Sequence, residues 1–593
     1  MRLRRREWDR GHMDAWRNLY WRIKEAIRTA KREAAQNIEQ YGQTSAKFAR
    51  GIKNVLQIKK KSSKLQIFDD ESNEEVATRI RNFFTNICTK YPAINPSKLP
   101  AFFPAKNDLP TIDRITIYHQ LSKLSAGKAT PPGEIPTSLL KEFAYELSEP
   151  LTAIFNASLR QGIFPDQWKG ATIIPLPKVK IVTELGELRP ISLTSVIGKL
   201  LEGMVAKIII QDTRDALDPY QYGNHKGSST SHYLTFLLDH LLQGLDKGNT
   251  IACLLLIDFK KAFDFVDHNV AVEELNAMGC RSSLLPFVMS FLTGRRHRVR
   301  YLDAVSDYDN TTCGVPQGTV LGPVVFGALV NRLCRTMFPR AKFVDDLSLG
   351  YLIKILTTIT FPMQEDVDTL ADECEDKHMK FNVAKCEVMY ANPTRRQTLI
   401  YPDLHLLDIP LPVVQNCKLL GVKLNNDLNW DDHVVYITKK ANRSMFILYR
   451  AKKFGFSIKA MITLYVWYLR TVLEYACPVW HPGLNQAHHT KIERVQKRTL
   501  RVILGNDYQS YDSALGRLNM SSLYNRREML TLRFGRSLLR SPVHRHLLPP
   551  TNGEVHGRMT RNQGLLRTVP ARTERYRRST IPYLVNLLNR NAN

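Results

Sequence analysis

What this 593-residue chain lacks narrows its class before anything it contains. No CxxC pair occurs among nine scattered cysteines (Cys88, Cys253, Cys280, Cys313, Cys334, Cys374, Cys386, Cys417, Cys477), which speaks against a zinc knuckle or a disulfide framework and fits reduced thiols. The chain also lacks a long hydrophobic run: "IACLLLI" at 251–257 falls far short of a membrane span, which needs about 20 apolar residues. The basic start "MRLRRREWDRGH" is not followed by the apolar stretch of a secretory signal, so the chain is expected to stay inside the cell. Acidic residues are scarce at both ends. Residues 1–64 hold 18 Lys/Arg against 6 Asp/Glu, and residues 491–593 hold 20 against 6, so the ends carry 26 of the formal +28. A nearly neutral middle between two basic ends suits a polyanion gripped from two sides, nucleic acid above all; a solvated basic face or a localisation signal is the alternative.

With 44% hydrophobic and 24% charged residues the chain is globular, and its length exceeds one ordinary core. Apolar residues at helical spacing (Trp16, Tyr20, Ile23, Ile27, Ala30, Ala34) predict a basic helix over 14–40, stopped by "YGQTS". "NEEVATRIRNFFTNIC" predicts a second helix, and a Pro-rich connector, "YPAINPSKLPAFFPAKNDLP", follows it. From 111 to 425 helical and strand patterns alternate: "SLLKEFAYELSEPLTAIFNASLRQG" reads as helices broken by Pro150, and "ATIIPLP" as a short strand. After about 430 the pattern is mainly helical, including "IKAMITLYVWYLRTVLEYA" and "KIERVQKRTLRVILG". The latter puts Arg494, Lys497, Arg498 and Arg501 on one stripe, with Gly505 as its stop. Beyond about 541, "SPVHRHLLPPTNGEVHGRMTRNQG" reads as loop.

Two carboxylate-bearing stretches raise the question of chemistry. In "LLLIDFKKAFDFVDH" an apolar strand, buried on both faces, delivers Asp258 to its carboxyl end, where it could equally cap a helix, as could Asp264 or Asp267. In "AKFVDDLSLG" a hairpin sets Asp345 beside Asp346; the repulsion between them suits either a solvated turn or a bound cation. Between the two lies "GVPQGTVLGPVVFGALVNRL" at 314–333.

The order "DFKKAFD", "GVPQGTVLGP", "FVDD" closely resembles motifs A, B and C of reverse transcriptases, and most of all the non-LTR (LINE-type, jockey-like) retrotransposon branch. "WKGATIIPLPK" and "LRPISLTSVIGKLLE" resemble the finger motifs, "QYGNHKGSST" an insertion segment of that branch, "MKFNVAKCEVMY" motif D, and "CKLLGVKLNNDLNWDDHV" motif E with the start of the thumb. The resemblance implies an α+β right-hand polymerase with fingers, a ferredoxin-like palm and a helical thumb. Its expected parts are a basic helical N-terminal extension (1–110), fingers and palm (111–425, core motifs 168–425), thumb (426–510) and a basic C-terminal segment (511–593). It implies Mg²⁺-dependent transfer of dNTPs onto a DNA primer copied from an RNA template. Two Mg²⁺ ions would be held by Asp258, the Phe259 carbonyl, Asp345 and, less centrally, Asp346. Phe263 stands where the family has a steric gate against the ribose 2′-hydroxyl; Gln317 and Gly318 are expected against nucleotide and template, Lys178 and Arg189 on the triphosphate, and Lys385 as general acid for pyrophosphate. "KATPPGEIP" departs from the family's KA-x-GPDGIP-like segment, and FVDD from the commoner YADD.

The family's upstream endonuclease is not seen in the basic residues before the first motif, so a chain lacking that nuclease is expected, in the nucleus or a cytoplasmic ribonucleoprotein and without a membrane partner. The competing readings are a catalytically silent RNA-binding remnant and a group II intron maturase. The maturase should carry a Cys/His-bearing tail that this sequence does not show.

Overall fold

A computed structural model describes residues 13–42, 45–56, 65, 71–94, 109–354, 362–392, 403–556 and 562–592. Most of the Pro-rich connector expected at 91–110 lies outside these residues. The chain forms two compact units: residues 1–60 with 415–593, and residues 61–414. The first 60 residues thus group with the C-terminal helices.

The first helix, α1 (Met13–Glu39), forms over the predicted span, but none of the six spaced apolar residues is buried; Ala35 and Ile38 are buried instead, and Ile27 is half exposed. Its end is tied down within its own unit. Glu39 Oε1 accepts from the Ser457 N–H at 2.8 Å, and Lys31 Nζ lies 5.3 Å from the Phe454 ring centre.

In the second unit α2 (Asn73–Cys88) starts on a capping box in which Ser72 and Glu75 satisfy each other's backbone N–H groups. Its buried face, Val76, Ile80 and Phe84, packs on Ile173, Val299 and Tyr301. The helix break expected at Pro150 falls instead at Phe143: α3 (Ala144–Gln161) runs through the proline. Burial of Leu151, Phe155 and Leu159 outweighs the missing hydrogen bond. Strands β1 (Gly170–Pro177) and β2 (Leu188–Leu193) pair antiparallel. Helix α4 (Thr230–Asp246) then leads into β3 (Thr250–Ile257) and α5 (His268–Ala277). The next strand, β4 (Arg295–Tyr301), runs parallel to β1.

After α6 (Gly322–Asn331) come β5 (Arg340–Phe343), β6 (Asp346–Lys354), α7 (Pro362–Asp376) and β7 (Glu387–Ala391). The palm sheet has the order β5-β6-β3-β7, antiparallel throughout. One face of β3 (Cys253, Leu255, Ile257) joins a core built with α5, α6 and α7. The other is covered by α4, where Tyr233 donates its hydroxyl to Ser348 at 2.6 Å. The sheet is thus sandwiched, and its open end is where charged side chains can gather.

The remainder of the first unit begins with the hairpin β8 (Asn416–Leu419) and β9 (Val422–Asn425), then α8 (Asp431–Phe454). The helix predicted from 458 onward is interrupted by a π turn at Val466–Arg470. Helix α9 (Gln486–Leu504) buries Ile492, Val495 and Leu500 and leaves Arg494, Lys497, Arg498 and Arg501 exposed, as the stripe predicted. Within 541–564 the described residues include two short helical pieces, Arg545–Leu547 and Asn552–His556. Helix α10 (Leu523–Arg540) packs Phe534 and Leu538 against Leu584, Val585 and Leu588 of α11 (Thr580–Arg590). Among the described residues no helix is long and apolar enough to cross a membrane.

Candidate active site

The last residue pair of β3 and β6, Ile257 with Leu347, fixes which residues emerge at the end of the palm sheet. Asp258 follows β3 directly, and a two-residue turn, Val344–Asp345, joins β5 to β6 with Phe343 paired to Asp346. Val344 has φ +63°, an uncommon conformation for a β-branched residue, whereas Asp345 does not share it; that sign pattern belongs to a type II′ turn. Sequence positions 87 residues apart are thereby brought to one place.

The segment before β7 clasps Asp258. Asn382 donates its side-chain amide to Asp258 Oδ2 at 2.7 Å and its backbone N–H to the Asp258 carbonyl at 2.8 Å. Lys385 Nζ stands 3.9 Å from the same Oδ2. Phe259 prolongs the strand by a bridge to Phe381, on whose ring its own stacks at 5.6 Å.

Charge crowding marks the cleft. Asp345 and Asp346 reach solvent, yet the surrounding protein walls desolvate their charged forms. Burial pushes Asp345 up, Asp258 adds to the rise, and Arg189 opposes it. Asp346 is pushed up to about 6 by burial, then by Asp345 and Asp258. Burial lowers the Lys178 ammonium in turn, with Asp264, Lys385, Arg189 and Asp258 all acting on it. Lys178 and Lys385 thus act on Asp258 and Arg189 on Asp345, although Lys178 Nζ itself donates to the Gly186 carbonyl at 3.1 Å.

The other predicted residues lie along the wall beside the cleft. Phe263 is half buried, its ring stacked 4.6 Å from that of Phe326 on α6, and its carbonyl accepts from the Val315 N–H at 2.8 Å. Gln317 donates its side-chain amide to Asp264 at 3.0 Å and its carbonyl accepts from the Ser192 N–H at 2.8 Å. Gly318 has φ +135°, and a Cβ there would stand 2.6 Å from the Ser192 carbonyl oxygen, so only glycine fits. The close approach is to β2 of the fingers.

Among the described residues no three His, Cys, Asp or Glu side chains close into a ready-made cation cage. The donor set nevertheless suits a hard divalent ion. Carboxylates that resist ionising beside one another are relieved by a dication, and Mg²⁺ characteristically takes one or two carboxylates and leaves its other positions to water and phosphate.

Several supporting residues escape a reading of the sequence. Asn382 lies in the quoted motif D, but nothing local points it at Asp258. Glu202, 1% exposed, accepts from the Val320 and Leu321 N–H groups at 2.5 and 3.1 Å and so anchors the entry to α6. Burial raises Glu202, with those N–H groups and Arg295 opposing. A lone acid amid the apolar residues of "LLEGMV" is the available signal.

Residues 176–424 match the family model "Reverse transcriptase (RNA-dependent DNA polymerase)". This region, which holds all the carboxylates just described, is a reverse transcriptase domain. The proteins it is similar to are RNA-directed DNA polymerases of non-LTR retrotransposons. The chain is 28% identical to the probable RNA-directed DNA polymerase from transposon BS of Drosophila melanogaster (67% of this chain, 46% of that one). It is 26% identical to the probable RNA-directed DNA polymerase from transposon X-element (68% and 45%) and 27% identical to that from mobile element jockey (65% and 43%), both of the same fly. The chain thus spans less than half the length of these relatives. Among solved structures, apo telomerase from Candida tropicalis matches with a TM-score of 0.36 and 11% identity, over 68% of this chain and 73% of that one.

Proposed function

We propose that this chain is an RNA-directed DNA polymerase that extends a DNA primer 3′-hydroxyl with dNTPs on an RNA template, as in target-primed synthesis by a non-LTR element. The observation that carries the reading is the gathering of Asp258, Asp345 and Asp346 at the end of the palm sheet, faced by Lys178, Arg189 and Lys385. Asp258 and Asp345, with the Phe259 carbonyl, would hold two Mg²⁺ ions, and Asp346 would support them. Bound Mg²⁺ supplies Lewis-acid stabilisation of charge on the attacking and leaving oxygens.

The rest is work for the chain's own side chains. Lys178 and Arg189 are to bind the triphosphate, Arg189 by its fork of parallel donors. Lys385, an exposed ammonium 3.9 Å from Asp258, is to hand a proton to the departing pyrophosphate. The stack on Phe326 keeps the Phe263 ring from turning aside, as a gate against a 2′-hydroxyl requires. Gln317 and Gly318 would shape the floor under nucleotide and template, fixed from behind by Asp264 and Ser192. The basic stripe of α9 suits a phosphate backbone.

Primer extension on poly(rA)/oligo(dT) with dTTP and Mg²⁺ tests the proposal. Incorporation by the full chain, lost in Asp258→Ala and in Asp345→Ala, is expected. Incorporation that survives either change overturns it. Tight, salt-sensitive RNA binding with no extension in any divalent metal would mark a silent RNA-binding remnant instead.

A further inference from the structure

The catalytic hairpin has a buttress that none of the motif roles uses. Residues 220–223 of the "PYQYG" stretch run parallel along the free edge of β5: the Lys342 N–H donates to the Tyr220 carbonyl at 2.9 Å, and the Tyr222 N–H to the Lys342 carbonyl at 2.8 Å. The side chain of Gln221 then reaches the turn itself. Its Oε1 accepts from the Val344 N–H at 3.3 Å and from the Gly223 N–H at 3.0 Å. Gly223 lies so close that a Cβ there would stand 2.3 Å from Val344 N and 2.7 Å from its Cγ2.

The buttress is in turn fixed to the interior. Asp218, 2% exposed, pairs with Arg340 Nε at 2.9 Å and with Lys342 Nζ at 2.7 Å, and accepts from the Tyr220 N–H at 3.1 Å. Lys342 Nζ also donates to the carbonyls of Val330 and Asn331 at 3.1 and 3.0 Å, and the Asp218 N–H donates to Asn331 Oδ1 at 2.8 Å. Burial alone would raise Asp218, but Arg340 and Lys342 outweigh it and hold the carboxyl below its ordinary range.

We propose that Gln221 is a positioning residue for catalysis, holding the Val344–Asp345 turn so that the Asp345 carboxylate keeps its aim into the cleft. The N–H of the first residue of a two-residue hairpin turn has no partner in the strand ladder, so the turn's peptide planes are free to rotate unless something outside the hairpin engages that N–H. Val344 holds an uncommon φ, and Asp345 is the next residue, so any relaxation at Val344 swings the carboxylate. Gln221 engages this N–H from one side while the bare Cα of Gly223 lets the backbone close on the turn.

The inference rests on Asp345 being a divalent-ion ligand. Its test compares the purified full chain with Gln221→Met, which keeps length and removes the acceptor, and Gln221→Glu, which keeps an acceptor oxygen. Misplacing a carboxylate ligand should lower kcat by about 10- to 100-fold in Gln221→Met, with the KM for dTTP unchanged and the half-saturating Mg²⁺ concentration raised. Gln221→Glu should recover most of the rate. A purely structural role would instead lower the melting temperature and leave the Mg²⁺ dependence alone. Should Gln221→Met melt early, Gly223→Ala, which pushes on the same turn from its other contact, is read in the same way. Wild-type kcat with wild-type Mg²⁺ dependence in a variant that melts like wild type overturns the inference. Asp345→Ala separates the two levels: if it still extends primers, the reading of Asp345 fails, and if it is inactive while Gln221→Met is not, only the buttress fails.

Discussion

Strands β3 and β5 each bring a carboxylate to the same cleft, but they are held by opposite means. From Ile251 to Leu255 every side chain of β3 is apolar and buried, so the side chains of the strand that leads to Asp258 are held by packing. The shorter β5, which leads to Asp345, points Arg340 and Lys342 into the interior, 7% and 2% exposed, where Asp218 pairs with both and backbone carbonyls accept from their remaining donors. Apolar packing yields gradually when a methyl group is lost. A buried ion cluster fails abruptly, because each lost partner leaves a charge stranded in a dry interior.

The largest expected effect joins the two strands. Asp258→Ala and Asp345→Ala should each lower primer extension by about 10³-fold or more, since both remove charge stabilisation from one reaction centre. Unequal losses would mean that the strands do not serve one site. Asp218→Ala should then destabilise the unit by about 3–5 kcal/mol in urea unfolding, having stranded Arg340 and Lys342. Leu255→Ala, which opens a cavity in β3, should cost about 2–4 kcal/mol in the same measurement. A larger loss at Leu255 than at Asp218 would reverse the contrast between the strands.

Two smaller effects sharpen the ends of these strands. Phe263→Ala, five residues beyond Asp258, should cut discrimination between dTTP and UTP by about tenfold, read as a ratio of kcat/KM values. Asp346→Asn should act on stability with a particular sign. The folded-state pKa of Asp346 lies above its ordinary value, at about 6, so the native state binds the proton more tightly than the unfolded chain does. Metal-free stability should therefore fall as pH rises from about 4 to 6. Asp346→Asn should remove part of that fall and raise the metal-free melting temperature at pH 7 by on the order of 2 °C, with little change at pH 4.

The same contrast explains what could be read from the sequence. The helix α2, the apolar run of β3, the DD hairpin and the stripe of α9 are local patterns, and each forms where the sequence places it. The partners that hold them are not local. Asp218 and Arg340 are 122 positions apart, and Gln221 and Val344 are 123 apart, so neither pair leaves a periodic trace. Pro150 does not break its helix because the tertiary burial of Leu151, Phe155 and Leu159 overrides local propensity. The N-terminal helix was visible as a helix, whereas its membership of the unit formed with residues 415–593 depends on contacts such as Glu39 with Ser457. Of the site, the carboxylates and their facing cations were legible by motif. The groups that fix them from behind, Asn382, Glu202 and Gln221, were not.

The central claim is that the carboxylates from β3 and from the β5–β6 turn form one divalent-ion site. It is tested most directly by Mn²⁺ binding, followed by electron paramagnetic resonance, to the full chain held with an RNA template, a dideoxy-terminated DNA primer and dTTP. Bound Mn²⁺ in the wild-type complex, lost in both Asp258→Ala and Asp345→Ala while template–primer binding persists, is the expected result. Undiminished Mn²⁺ binding in either variant would contradict it.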